Sequence, residues 1–405
     1  MLRGQAARRA LVALGLLAAG ALWALCAHEL WRSSVPSGLH LPHVDAQRVF
    51  GSAFLRRSAS FDRFLYIDGL LASLTLLAVL ALYARRGQRL MRESAAGRVG
   101  TGMLLGMLGF ALVWLAQVPF GLAAVWWERR HGISHQGYAD ALLESFLGLG
   151  GRFLFISLGL AVTMGLAGAL RRSWWLAAAP LLAAVALLFT FLSPYLLAKT
   201  HALRDPVLAA DARALAASEG VAGTKVLVQK ASRSLTAPNA EAVGLGSTRR
   251  VVLWDTLLDG RFSKREVGVV MAHEFGHIAH GHLLRGVGWL ALFLVPATAL
   301  VALLTRGRGG LARPEAVPVA LFAFAVLQLL TLPLSTMVSR HEEAEADWSA
   351  LRATHEPATA RALFRRLAVT SLADPDPPAW SYVLYADHPT IAQRIALTEA
   401  WQARR

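Results

Sequence analysis

Residues 273–277 read His-Glu-Phe-Gly-His. On a helix, positions four apart share a face, so His273 and His277 would project together. Two imidazoles so placed can hold one Zn²⁺, and Glu274, beside the first of them, is positioned to take a proton from a polarised water. A catalytic zinc uses three protein ligands and keeps one position open. The chain has one cysteine, Cys26, so a thiolate cluster is excluded and any further ligand must be His, Asp or Glu. The plain alternative is a pair of interfacial polar residues with no metal.

A third ligand is to be sought in SRHEEAEADWSA, residues 339–350, which is acidic, alanine-rich and therefore helical. Glu343 and Asp347 are four apart and share a face. One carboxylate can complete a His₂Glu site, and the other can hold a ligand histidine by its second ring nitrogen and so fix its tautomer. Spacing leaves Glu342, Glu343 and Glu345 open as the ligand. A solvated acidic helix start is the bland reading. His280 and His282 lie just after the motif; His280, three residues beyond His277, makes a His₃ site the lesser option, and His341 and His388 are further candidates for supporting roles.

Several elements must position these groups. A helix from Lys264, capped by Ser263, would carry the first motif. Before it lie a helical pattern at 206–219 and short β-like runs at 225–229, 240–246 and 249–254, with Asp255 as a helix N-cap ahead of Thr256.

The frame is a membrane. Of 405 residues, 55% are hydrophobic and only 17% charged, with mean hydropathy +0.46, too apolar for a soluble globule of this length. Seven apolar stretches approach or reach the length needed to cross about 30 Å of hydrocarbon: 10–27, 67–84, 100–124, 153–170, 174–198, 287–305 and 317–338. The first has a basic lead-in (Arg3, Arg8, Arg9) but no small-x-small cleavage site, and reads as a retained span. The polar segments 199–286 and 339–405 are separated by two spans, so they face the same side and can share a site. Lys and Arg near the span ends are balanced between the two sides, which gives no orientation. Asp68, at the mouth of the second span, reads as a helix-end residue, with a role in transport as the alternative. The net charge of +15 is nearly all arginine scattered at the ends of apolar runs. That pattern suits anionic lipid headgroups better than nucleic acid, for which no recognition motif is present.

Four blocks, in this order, resemble the type I CAAX prenyl proteases, integral-membrane zinc metallopeptidases of the gluzincin kind. They are NAEAVGLGSTRRVVLWDTLL (239–258), VVMAHEFGHIAHGH (269–282), SRHEEAEADWSA (339–350) and DHPTIAQRI (387–395). The resemblance implies a mainly α, polytopic protein with about seven transmembrane helices and a small α+β zincin-like catalytic domain. It implies one Zn²⁺ per chain on His273, His277 and Glu343, with Glu274 as base and Asp347 behind a ligand. It implies that His388 assists the developing oxyanion, and that Asn239, Ala240 and Arg394 bind substrate, Asn239 and Ala240 at the start of an edge strand along which the substrate lies. In that family the spans enclose a chamber, and the catalytic side of the cytoplasmic membrane protein faces the cytoplasm. AEAVG stands where relatives carry an aromatic residue, and the segment after Glu343 is more acidic than theirs, which bears on substrate preference.

The expected division is a five-span membrane domain at 1–198, peptidase segments at 199–286 and 339–405, and a transmembrane hairpin at 287–338. The expected activity is metal-dependent endoproteolysis of a peptide or protein, lipidated or membrane-associated, in contact with membrane lipid. The rivals are a membrane quality-control metalloprotease of the heat-shock type, a metal-regulated channel or transporter, and an inactive scaffold. The transporter reading gives no reason for Glu274.

Overall fold

A bilayer leaves the backbone no hydrogen-bond partner but itself, so the apolar runs fold as long helices. The computed structural model describes residues 2–87, 96–196 and 200–404. The end of the fifth expected span, 197–198, and Lys199 lie outside these. Helices are numbered along the chain. Among the described residues, six apolar segments are long enough to cross a membrane. One of them, Tyr138–Leu196, is two helices, α5 (Tyr138–Leu170) and α6 (Trp174–Leu196), separated by a 3₁₀ turn over Arg171–Ser173. The Phe155 and Phe189 rings, equally far from that turn along the two helices, lie 5.0 Å apart. The pair is thus an antiparallel hairpin, and the segment supplies two crossings. With α1 (Leu2–Leu30), α3 (Ser52–Arg86), α4 (Gly97–Arg130), α9 (His282–Thr305) and α10 (Val317–Thr354), seven helices can span.

The second and fourth expected spans are shorter than the helices that contain them. The first turns of α3 leave the apolar zone and pack on the C-terminal segment, where the Asp374 N–H donates to Asp62 Oδ2 at 2.7 Å. Within the bundle, α4 and α5 approach closely because α4 presents glycine. A Cβ at Gly102 would lie 2.2 Å from Met164 Sδ, and one at Gly106 would lie 2.2 Å from Leu160 Cδ1. Small residues four apart substitute close packing for the hydrophobic drive that lipid removes.

Outside the spans, the short helix α2 (Ala46–Phe50) is capped by Asp45 and α7 (Pro206–Ser218) by Asp205. Four strands, β1 (Thr200–Ala202), β2 (Lys225–Gln229), β3 (Ala240–Val243) and β4 (Arg250–Trp254), form one sheet in the order β1-β2-β4-β3. β2 and β4 are parallel, and β1 and β3 each run antiparallel to their neighbour. β1 was not anticipated; three residues are too few to show a period. α8 (Lys264–Ala279) packs against this sheet, and the end of α10, α11 (Pro357–Ser371) and α13 (Ile391–Ala403) join it in one core, with α12 (Ala379–Tyr385) between the last two in the chain. Their common core includes Val251, Leu253, Met271, Phe275, Leu351, Leu363 and Ile395, all buried. The segments on either side of the α9–α10 hairpin therefore fold as one body.

The expected capping role of Asp255 is corrected. Its residue begins a 3₁₀ turn, and its carboxylate instead accepts from the Ala231 and Ser232 N–H groups at 2.9 and 2.8 Å and from the Ser232 hydroxyl at 2.6 Å. Three donors from a distant loop outbid a short turn that offers few.

Candidate metal centre

α8 starts where the sequence signals a start. Glu266 N–H donates to the Ser263 hydroxyl at 3.3 Å, and the Glu266 carboxylate accepts from Ser263 N–H at 2.8 Å. Such a reciprocal cap is worth about 1 kcal/mol. Val267, Met271 and Phe275 turn one face of α8 into the core, and His273, Glu274 and His277 lie beside that face. Gly276 sets the depth of packing. A Cβ there would lie 3.0 Å from Ser349 Cβ and 3.3 Å from Ala346 Cα, so a side chain at position 276 would push the two helices apart by a few tenths of an ångström. α10 leaves the membrane unbroken and carries Glu343 to the face of α8.

The ligand atoms of His273, His277 and Glu343 all lie within 4.8 Å of one another. His273 Nε2 is 3.1 Å from Glu343 Oε2, His277 Nε2 is 3.4 Å from Glu343 Oε1, and the two Nε2 atoms are 3.1 Å apart. Of the three carboxylates left open by spacing, the fold brings Glu343 to this point. His280 and His282 do not join the group; they turn to Glu345.

Behind each histidine stands a separate support. His273 Nδ1 lies 2.8 Å from Asp347 Oδ1, and Asp347 is gripped by Arg394 through Nε to Oδ2 at 2.8 Å and Nη2 to Oδ1 at 2.6 Å. A carboxylate so paired only accepts, so His273 Nδ1 carries the proton and Nε2 is left with its lone pair facing the site. His277 Nδ1 lies 2.8 Å from His282 Nδ1, and His282 Nε2 lies 3.1 Å from Glu345 Oε2. A neutral His282 that donates to Glu345 can only accept at Nδ1, which puts the proton of His277 on Nδ1 and its lone pair at Nε2. Glu345 is fully buried and also takes Arg285 Nη1 at 2.8 Å and the Ser34 N–H. The second relay was not read from the sequence. Its members are scattered over α9, α10 and the segment after α1; spacing offers Glu345 only as a candidate ligand, and His282 only as a histidine that follows the motif.

The donor set can be tested for a cation. Glu343 Oε2 is a buried atom with the ring nitrogens of His273 and His388 each 3.1 Å away. Burial lowers the His273 pKa, but the bonds to Asp347 and Glu343 outweigh it and raise it to about 10. The site thus demands positive charge where three ligand atoms converge, and two imidazoles with one carboxylate suit Zn²⁺. Replacing His282 by Ala, or Glu345 by Gln, is expected to weaken metal retention roughly 10–100-fold, the usual effect of losing a ligand's support. Competition with a chromogenic chelator would measure this, and unchanged retention would show that His277 needs no relay.

A narrow cleft of about 100 Å³ joins Asn239, Ala240, His273, Glu274, His388 and Arg394. His388 Nε2 is 3.1 Å from Glu343 Oε2, its Nδ1 is 2.8 Å from Asp387 Oδ1, and its side chain is 48% exposed. The His388 bond lowers the Asp387 pKa. Arg394 touches the cleft, but its guanidinium is buried, bound to Asp347 and stacked 4.3 Å over the Phe364 ring, rather than free for substrate as expected. A cation at that depth requires the carboxylate it holds.

β3 is an edge strand. Trp254 N–H donates to Asn239 O at 2.9 Å, and Ala240 pairs with Leu253. In an antiparallel ladder the hydrogen-bonded pairs alternate, so Asn239, Glu241 and Val243 face β4 with their main-chain groups. The N–H and C=O groups of Ala240 and Ala242 therefore point to the open edge. Burial, and then the charge of Glu274, raises the Glu241 pKa.

Among the described residues, seven helices able to span and a buried two-histidine, one-glutamate cluster mark an integral multi-pass membrane protein with a candidate metal centre. Residues 202–402, about half of the chain, match Peptidase family M48. An uncharacterized metalloprotease, YhfN of Bacillus subtilis, is 31% identical over 56% of this chain and 57% of its own length. A CAAX prenyl protease 1 homolog of Oryza sativa subsp. japonica is 26% identical over 49% of this chain and 48% of its own. The chain thus spans about half the length of these curated relatives. The crystal structure of S. mikatae Ste24p superposes with TM-score 0.70 at 18% identity, covering 93% of this chain and 96% of that one. The fold is shared nearly end to end, and the resemblance to type I CAAX prenyl proteases holds.

Proposed function

We propose that the protein is a membrane-embedded zinc endopeptidase. One Zn²⁺ per chain would be held by His273, His277 and Glu343, where it would supply a Lewis acid for water and for the scissile carbonyl. Glu274 takes the proton of the attacking water and returns it to the departing amine. His388, its ring steadied by Asp387 at Nδ1, turns Nε2 toward the oxygen that gains charge and assists it there. Asp347, held by Arg394, keeps His273 turned to the metal. The substrate backbone lies extended along Ala240 and Ala242, with Asn239 at the head of the strand; such strand addition grips main chain and is sparing in sequence choice. The peptidase unit is assembled from the segments 199–286 and 339–405 around the hairpin 287–338, beneath the five spans of 1–198.

The observation that carries this reading is the convergence of three ligand atoms beside a cleft lined by His273, Glu274 and the edge-strand residues Asn239 and Ala240. The substrate class rests on the resemblance and on the prenyl-protease relatives: a lipidated, membrane-associated peptide cut on the cytoplasmic side of the cytoplasmic membrane. The test is purified protein in detergent given a farnesylated CAAX peptide and the same peptide without lipid, with and without a zinc chelator. Chelator-sensitive cutting of the lipidated peptide alone supports the whole reading. Equal cutting of both removes the lipid preference and favours quality control of membrane proteins. No cutting of either by the zinc-loaded protein counts against the protease.

Strand addition makes its own prediction. Ala242→Pro deletes an outward N–H and leaves the β4 ladder intact, a position where a strand accepts proline. Its kcat/KM for peptide cleavage is expected to fall about tenfold, the scale of one lost hydrogen bond with its desolvation, with circular dichroism unchanged. Wild-type kinetics would remove the substrate from that edge.

A further inference from the structure

The membrane face opposite the metal centre carries a second cavity. It holds about 640 Å³ between the start of α4, the α5–α6 turn and the end of α9. Arg98, Arg171, Arg172 and Arg306 line it, beside Trp174 and Leu311. The four side chains are exposed, and none of their guanidinium groups makes a hydrogen bond or ion pair among the described residues. Among the described residues, no carboxylate lines the cavity. Four like charges around one hollow repel each other unless an anion sits among them. The neighbouring helix surfaces are apolar and exposed where they would enter hydrocarbon, at Leu170, Leu176, Leu303 and Leu304.

A ligand that satisfies both features has a phosphate head and fatty chains. Guanidinium groups match phosphate oxygens in a planar fork, and basic pockets between spanning helices at the headgroup level suit acidic lipids. The 3₁₀ turn over Arg171–Ser173 delivers two of the charges at this depth, and its first residue adopts φ 52 to do so. We propose that this cavity is a binding site for the headgroup of an anionic phospholipid, separate from the metal centre and on the other side of the membrane.

The test uses the full chain purified in neutral detergent and native mass spectrometry with added phosphatidylglycerol or phosphatidylcholine. The variants are R98Q/R171Q/R172Q/R306Q and, as a charge-matched control, R56Q/R57Q/R63Q/R213Q, all exposed arginines away from the cavity. The milder R171Q/R172Q pair guards against loss of folding in the quadruple variant. Retention of phosphatidylglycerol over phosphatidylcholine is expected in wild type and control. It should weaken on the order of fivefold for each cavity arginine removed. Displacement by millimolar glycerol phosphate would support the phosphate site and assign it to a soluble ester; no displacement assigns it to the lipid. Equal retention of the two lipids, or equal loss in cavity and control variants, would overturn the proposal.

Discussion

Glu274→Gln is expected to lower kcat for peptide cleavage by about a thousandfold, the middle of the range for removal of a general base. Glu274 is buried in the slot beside His273, and glutamine fills the same volume there. The metal ligands keep their supports, so zinc content measured by elemental analysis should match wild type. That pairing separates the roles: the chain still binds metal but no group can move the proton. Activity within tenfold of wild type would take the base role from Glu274 and reopen the cleft to another proton acceptor.

The second large effect concerns Asp347. The Asp347→Ala change leaves Arg394 buried and unpaired and frees His273 from its tautomer. Stranding one member of a buried ion pair costs about 3–5 kcal/mol, and loss of a ligand's carboxylate support costs roughly 10–100-fold in metal affinity. The double variant D347A/R394A tells the two apart. With the stranded charge gone, thermal stability should recover in part, while metal affinity stays low because His273 is still unsupported. Recovery of both together would make Asp347 a partner of Arg394 only. Asp347 sits deeper than Glu343, yet both come from one turn of α10; the helix directs one carboxylate toward the metal position and the other behind it.

Much of this site was legible in the sequence because its logic is local. His273 and His277 are neighbours on any helix, Ser263 and Glu266 announce where that helix begins, and the alternation of apolar runs with polar segments sets the crossings and their parity. The resemblance added Glu343 to what spacing had left as three choices. Asp255 was misread since its three donors come from residues 231 and 232, which no local rule brings near.

The sequence alone determined that the chain is membrane-embedded, that its two polar segments share a side, and that a helix presents two histidines and a glutamate together. These follow from periodicity and hydropathy, which act between near neighbours. Only the tertiary structure decided that Arg394 holds Asp347 instead of waiting for substrate. Only there does Glu345 anchor a second relay through His282, does Ala242 join Ala240 on the open edge, and do four distant arginines surround one cavity. Those relations link residues far apart in the chain. They are set by how closely α8 and α10 pack over Gly276 and by where the spanning helices end, and neither is written in any short stretch of residues.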